Sequence, residues 1–471
     1  LEGIYAHLDE ISGRAKSALE GGKESAFLSQ KLAQIVTDLD MQLDLEQARI
    51  DRFNPKAVED LFRELEFRTL IQPLNALVGK MHPIMPQGEQ MDLFTATSDV
   101  PAPVEAPGSI KTTIVDTSEA LADLVDVIKK AELVAFDTET TDTDVMRAEL
   151  VGISLALDPD LGYYIPLGHQ QGDQLPKEDV YKALSGPLSD PKIGKAGHNL
   201  KYDYMVLKRA GITVSPLTFD TMIAEWLINP ASRNLGLKNL AWVRLGYEMT
   251  QIEALIGKGR SQKTMDQVPI AEAAGYAAAD AAICLQLIPQ LQDELGTHNA
   301  QGLFNTMEMP LIPVLADMEH AGITLDTDFF AKFSRELEEK LAEIETNIHQ
   351  EVGYAFNLNS TQQLSEALFE KLGLEPPDRA RKTASGYYST AAGVLEAMTK
   401  QHPVIEWVLD YRELEKLRST YVDSLPQQIN PATGRVHTSL NQTGTVTGRI
   451  ASSNPNLQNI PIRTEIGRRV R

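Results

Sequence analysis

Residues 132–140 read Glu132-Leu133-Val134-Ala135-Phe136-Asp137-Thr138-Glu139-Thr140. Leu133 to Phe136 is an unbroken apolar run, the pattern of a strand covered on both faces. Side chains two apart on a strand share a face, so Asp137 and Glu139 project together from the end of a strand over 132–138. Two carboxylates held that close raise each other's pKa unless a cation lies between them. Hard divalent cations take oxygen ligands, so the pair reads as half of a metal site. Taken alone, it reads rather as two solvated acids at a strand end, because Asp-x-Glu is common.

Two further stretches bear on this one. In His198-Asn199-Leu200-Lys201-Tyr202-Asp203, Asn199 and Asp203 are four apart at a helix start and share a face. The plain alternative is that Asn199 caps the helix and Asp203 is a surface acid. In Tyr276-Ala277-Ala278-Ala279-Asp280 the phenol and the carboxylate are again four apart, on an alanine-rich helix able to pack closely on a sheet. By itself this is a helix with one buried tyrosine and one exposed aspartate. Together, Asp137, Glu139, Asp203 and Asp280 supply the carboxylates that a two-metal phosphodiesterase needs. Tyr276 would orient the attacking water. With an unperturbed pKa near 10 it is a poor base, so deprotonation falls to the metal.

Around these stretches the pattern is mixed α/β from about 110 to 297. Further strands are predicted at 150–157 and 163–166, and helices at about 199–210, 220–229 and 269–294. Residues 1–80 read as helical, with Leu28, Leu32 and Ile35 at helical spacing and Asn54-Pro55 opening another helix. Residues 81–108 carry five prolines and little periodicity, a linker composition. From about 308 the chain is again mainly helical. Phe333, Leu337, Leu341 and Ile344 mark a long helix over 329–352, followed by helices at about 361–373, 389–400 and 403–425. After Pro431 the pattern turns polar and strand-like, then loop-like.

At roughly 100–200 residues per domain, 471 residues make two to four domains. No apolar run approaches the roughly 18 residues of a membrane-spanning helix. The N-terminus lacks a signal-peptide pattern, and it opens on Leu1 rather than Met, which predicts a fragment. The single cysteine, Cys284, excludes an internal disulfide and suits a cytoplasmic setting. A formal charge of −22 argues against nucleic acid as partner. Local basic stripes can nevertheless grip DNA, and the C-terminal end has one in Arg463, Arg468, Arg469 and Arg471.

The three acidic stretches resemble the exonuclease motifs of the proofreading domain of family A DNA polymerases, a DnaQ-like, ribonuclease H-like fold. Phe136–Thr140 resembles the first motif, Asn199–Asp203 the second and Tyr276–Asp280 the third. Thr447-Gly448-Arg449-Ile450-Ala451-Ser452-Ser453-Asn454-Pro455-Asn456-Leu457-Gln458-Asn459-Ile460-Pro461-Ile462-Arg463 resembles the DNA-binding stretch at the start of the polymerase palm. The resemblance implies a helical remnant of a 5′ nuclease domain over 1–80, a linker over 81–108 and a 3′→5′ exonuclease domain over 109–297. It continues with a thumb over 298–430 and an incomplete palm over 431–471.

The resemblance also implies Mg²⁺ or Mn²⁺ as cofactor, two ions per site. The counterpart of Asp137 bridges both ions, those of Glu139 and Asp280 hold the tighter one, and that of Asp203 helps place the second. Catalysis falls to Asp137, Glu139, Asp203, Tyr276 and Asp280. Thr138, Thr140 and Asn199 are implied single-strand contacts. Arg449, Asn456, Gln458, Asn459 and Arg463 are implied primer–template contacts, suited to phosphates and minor-groove acceptors. The expected partner is DNA, as 3′ ends and primer–template duplex, bound by a monomeric, cytoplasmic, nucleoid-associated protein. The parent would be a DNA-directed DNA polymerase in replication and repair. The family's palm acids and its 5′ nuclease centre lie outside this sequence, so the chain is expected neither to polymerise nor to cut flaps. Palm strands without their partners expose edges, and the last forty or so residues are expected to pack poorly. Competing expectations are a 3′→5′ exoribonuclease of the same superfamily and a DNA-binding scaffold with an inactive exonuclease fold.

Overall fold

Strand β2, Leu133–Thr140, carries the apolar run and the first two acids, and a six-stranded sheet is built around it. Its neighbours are β3, Leu150–Asp158, antiparallel, and β5, Gly194–Gly197, parallel. With β1 (Lys111–Ile114), β4 (Leu161–Pro166) and β6 (Leu217–Asp220) the order is β1-β4-β3-β2-β5-β6. Val134, Ala135 and Phe136 are wholly buried, as a strand covered on both faces requires. The structure is a computed structural model that describes residues 1–11, 14–37, 44, 53–81, 110–232, 234–377, 382–383, 385–462 and 464–471. Apart from Met81, the expected linker over 81–108 lies outside the described residues.

The Ile270–Thr297 helix crosses the sheet, and its small residues decide how closely. Ala277, Ala278, Ala281 and Ala282 are fully buried. A Cβ built on Gly162 of β4 would lie 2.5 Å from the Ala278 carbonyl oxygen, so only glycine permits this approach. Small-on-small packing therefore brings the Tyr276–Asp280 face of the helix down to β2.

Strands β1, β5 and β6 were not expected from the sequence. Lys195 sits in the middle of β5, fully buried, in a Gly-Lys-Ala-Gly run that reads as a turn. Its ammonium donates at 2.7 Å to each of the carbonyl oxygens of Asp190, Ile193 and Ser215, which offsets the desolvation of the charge. The sheet's core also continues beyond residue 297, taking in Phe304, Met309 and Ile312.

A second core lies in the mainly helical part. Phe330, Phe333, Leu337, Leu341, Ile348 and Val352 form the buried stripe of the Thr327–Val352 helix, close to the predicted one. Each such side chain contributes about 1.5–3 kcal/mol on full burial. The stripe packs against Val404, Ile405, Val408 and Tyr411 of the Pro403–Leu417 helix. The expectation of a poorly packed tail is not met. Leu457, Ile460, Ile466 and Val470 pack against this core, Arg469 forms a double ion-pair contact with Glu336 (2.7 Å for each bond), and its guanidinium covers the Phe333 ring. Strands β7 (Ser439–Asn441) and β8 (Ala451–Ser453) pair antiparallel in the same region.

All of this belongs to one compact unit, Ala96–Arg471; residues Leu1–Thr95 form another. In that first unit Asn54 caps the Pro55–Glu64 helix as predicted, accepting from the Lys56 and Ala57 amides. Leu28, Leu32 and Ile35 are exposed, and among the described residues of the unit Leu74 alone reaches full burial.

Candidate metal centre

The register of β2 places Asp137 opposite Ser154 and Glu139 opposite Gly152, so both acids share a face as expected. Gly152 has a reason to be glycine, because a Cβ there would lie 2.2 Å from the Tyr164 hydroxyl packed beside Glu139. Above this face the Ile270–Thr297 helix brings in Asp280. One carboxylate oxygen from each of Asp137, Glu139 and Asp280 lies within 4.8 Å of the other two. Oxygen ligands to a hard divalent cation stand about 2.0–2.6 Å from the ion, so a trio this tight can surround one cation. The Asp280 Oδ1 atom is buried and has no hydrogen-bond partner among the described residues. An orphaned carboxylate oxygen aimed at two other acids is costly without a cation, and the donor set is the hard-oxygen one that Mg²⁺ and Mn²⁺ take.

Asp203 is brought to the same place in a different role. It is buried on the Leu200–Arg209 helix, and its Oδ1 accepts from the Thr138 backbone amide at 2.9 Å and the Thr138 hydroxyl at 2.5 Å. It therefore grips β2 between the two acids and stands outside the three-carboxylate group. The start of this helix is also held differently from expectation. Asn199 is the residue before the first turn, in the left-handed conformation (φ 58°), and its side chain makes no cap bond. The cap is the buried Asp220, which accepts from the amides of Asn199 and Leu200 and also from those of Met222 and Ile223. One carboxylate thus fixes the starts of two helices.

The electrostatics follow from this crowding. Burial and then the charges of Asp203, Glu139 and Asp280 push Asp137 well above the usual carboxylate range. Burial first, and the neighbouring acids second, push Glu139 up to about 8. Burial also raises Asp203 and Asp280, each to about 7. The cluster is built to hold positive charge or protons.

Sequence reasoning missed the basic group beside it. Lys238, on the Leu237–Leu245 helix, donates to the Tyr276 hydroxyl and lies 4.0 Å from that ring's centroid. Burial lowers its pKa, while Asp280, Glu139 and Asp137 pull it upward. Nothing in Leu-Lys-Asn-Leu-Ala distinguishes this lysine from a solvated one. Tyr276 is buried and its pKa is raised by burial and by Asp280, so its phenol stays protonated.

Of the remaining predicted contacts, the Thr140 hydroxyl is 2.6 Å from the Tyr202 hydroxyl and donates to the Asp142 carbonyl. Asn199 lines a cleft of about 670 Å³, together with Thr438, Asn441 and Asn454. In the tail, Arg449 is exposed. The Asn456 side chain accepts from the amides of Gln458 and Asn459, and Gln458 bonds Ser452 and Ile450, so these side chains shape their own loop. Arg463 lies outside the described residues.

Two family models match the chain: 3′-5′ exonuclease over residues 112–296 and DNA polymerase family A over residues 327–471. The chain belongs to DNA polymerase family A. This family A chain is 42% identical to a DNA polymerase I of Chloroflexus aurantiacus over 489 residues, covering all of this chain and 51% of the relative. It is 36% identical to one of Pseudomonas aeruginosa, with the same coverage. The chain thus spans about half the length of these relatives. A solved structure titled as the POL domain of Pol1 from M. smegmatis, in complex with DNA primer-template and dNTP, superposes with a TM-score of 0.64 at 29% identity. That match covers 77% of this chain and 58% of the other. The acids of the candidate centre all lie within the exonuclease match, and Arg449 to Asn459 lie within the polymerase match. No helix among the described residues is long and apolar enough to cross a membrane.

Proposed function

We propose that this family A chain removes nucleotides from the 3′ ends of DNA at the Asp137–Glu139–Asp280 centre, with two divalent cations, Mg²⁺ or Mn²⁺, as cofactor. The observation that carries the reading is the meeting of three carboxylates within 4.8 Å, one of them with an orphaned buried oxygen, inside a 3′-5′ exonuclease domain. When bound, the cations supply Lewis-acid stabilisation of the charge that develops on phosphodiester hydrolysis.

The chain's own residues have separable roles in this proposal. Asp137, Glu139 and Asp280 hold the cations. Asp203, bonded to Thr138, fixes the spacing of the first two and would help place the second cation. Tyr276, neutral and held by Lys238, presents its hydroxyl to orient water or the scissile phosphate. Asn199, which lines the cleft, guides the single-stranded end, with Thr138 and Thr140 of β2 as its further proposed contacts. Arg449 and Asn459, with Arg463, contact the primer–template duplex, and Asn456 and Gln458 serve the same contact by holding the loop that presents it, as suggested by the DNA in the related polymerase complex.

The test is to incubate the chain with 5′-labelled single-stranded DNA, RNA and duplex DNA, first with Mg²⁺ and then with EDTA. Metal-dependent shortening of DNA from its 3′ end is expected. Trimming of RNA alone, or binding of DNA without cleavage, would overturn the reading.

A further inference from the structure

Lys201 lies two residues before Asp203, where a lysine beside a nuclease centre invites assignment as a phosphate ligand. Its surroundings point elsewhere. The Lys201 ammonium pairs with the Glu319 carboxylate and donates to the Leu440 carbonyl at 2.6 Å. Glu319 Oε1 also accepts from the Leu440 amide at 2.6 Å. The two side chains are only 14% and 7% exposed. This nearly dry ion pair therefore takes both backbone groups of one residue of β7, standing where a neighbouring strand would stand.

Other bonds hold the same segment. The Gln442 amide nitrogen donates to the carbonyl and carboxylate of Glu308, and the Trp226 indole donates to the Thr445 carbonyl at 3.1 Å. The segment so held lines the cleft through Ser439, Asn441 and Gln442, and Asn199, Tyr202, Lys201 and Glu319 line it too.

We propose that Lys201 and Glu319 are positioning residues, a clamp that fixes β7 in the lining of the cleft and so sets the affinity for a DNA strand bound there. The clamp rests on the nuclease reading above for its functional consequence. Breaking one partner strands a buried charge, whereas removing both leaves only the Leu440 groups unpaired. The double variant Lys201→Met/Glu319→Leu is therefore the one expected to stay folded.

Two substrates separate the roles. p-Nitrophenyl thymidine 5′-phosphate needs only the acid cluster, none of whose three acids lines the cleft, whereas a short single-stranded oligodeoxynucleotide is long enough to occupy the cleft as well. The double variant should raise KM for the oligonucleotide about tenfold, the equivalent of one or two lost hydrogen bonds. Its turnover of the small ester should change less than about twofold, because fold damage is absent. Each single variant should raise oligonucleotide KM at least as much, and the effects should not add, since the pair acts as a unit. Amide exchange at Leu440 should accelerate in every variant, a readout that does not depend on activity. The clamp is overturned if Leu440 exchange is unchanged, or if the double variant binds the oligonucleotide as the unaltered chain does. It is also overturned if Lys201→Met weakens binding and flattens its salt dependence while Glu319→Leu does neither, which would make Lys201 a phosphate ligand. If the unaltered chain hydrolyses neither substrate but Leu440 exchange responds as stated, the nuclease reading fails and the clamp survives as structure.

Discussion

Asp203 holds Thr138 through both its amide and its hydroxyl, at 2.9 and 2.5 Å, so an acid from a distant helix fixes the peptide between Asp137 and Glu139. The charge and the grip of Asp203 are separable. Asp203→Asn keeps an oxygen facing Thr138 and should melt within a few degrees of the unaltered chain. Asp203→Ala loses both bonds and should cost about 3 kcal/mol. Both should lose hydrolysis, Asn by about a hundredfold, a typical loss when one group serving the developing charge is removed. Thermal melts of the two variants check this; equal destabilisation by Asn and Ala would contradict a grip on Thr138.

The raised carboxylate pKa values fix the sign of a pH dependence. In the unfolded chain these acids release protons near their ordinary values of 3.8 and 4.5; folded and without cation, Asp203 and Asp280 hold them to about 7 and Glu139 to about 8. Between those limits the unfolded chain binds fewer protons, so stability falls as pH rises. The contribution is complete below the ordinary carboxylate range and is lost through pH 7 to 8. In EDTA the melting temperature should therefore decline from weakly acidic to weakly alkaline buffer. Added Mg²⁺ should raise it most at the alkaline end, where it replaces missing protons. Asp137→Ala should abolish hydrolysis yet flatten the decline, because it removes one repelling charge. A melting temperature in EDTA that rose with pH would refute the account.

What the sequence made legible, and what it hid, divides along physical lines. Asp137, Glu139, Asp203 and Asp280 were readable because strand and helix periodicities place them on faces, and because four acids so spaced on an α/β pattern suit a cation site better than a solvated surface. Strand β5 was not, since Gly194-Lys195-Ala196-Gly197 has the composition of a turn and is stabilised by carbonyls from three other positions, one of them Ser215. Asp220 was hidden for the same reason: the helix starts it caps are set by a fold that brings residue 199 to residue 220. The packed tail rests on Leu457, Ile460, Ile466 and Val470 meeting a core built from residues far earlier in the chain, and Arg469 meets Glu336, a pairing 133 residues apart; no local pattern encodes either.

Lys238 is the sharpest omission, and its role can be measured. It is both a hydrogen-bond donor to Tyr276 and a positive charge that acts on three acids, Asp280, Glu139 and Asp137. Lys238→Met should reduce kcat about tenfold by freeing the Tyr276 hydroxyl, with a smaller effect on KM, consistent with loss of one oriented donor. Tyr276→Phe should do the same, and the double variant should be no slower than the slower single. In EDTA at alkaline pH, Lys238→Met should also melt lower, since the acids lose their internal counter-charge. A variant with unchanged kcat and unchanged EDTA melting would remove Lys238 from the centre.

Arg449 belongs to the proposed primer–template contacts, and its exposure makes that proposal testable. It stands in the loop anchored by Thr445, whose hydroxyl donates to the Arg449 carbonyl at 2.8 Å, so the backbone is fixed while the guanidinium faces solvent. If it meets a phosphate of duplex DNA, Arg449→Ala should weaken primer–template binding and reduce the slope of log affinity against log salt by about 0.9. Single-strand hydrolysis at the acid cluster should fall far less than duplex binding, because different residues serve it. Fluorescence anisotropy across a salt series, run beside the single-strand assay, reads both quantities. An equal loss in the two would merge the sites, and an unchanged salt slope would remove Arg449 from the phosphate contacts.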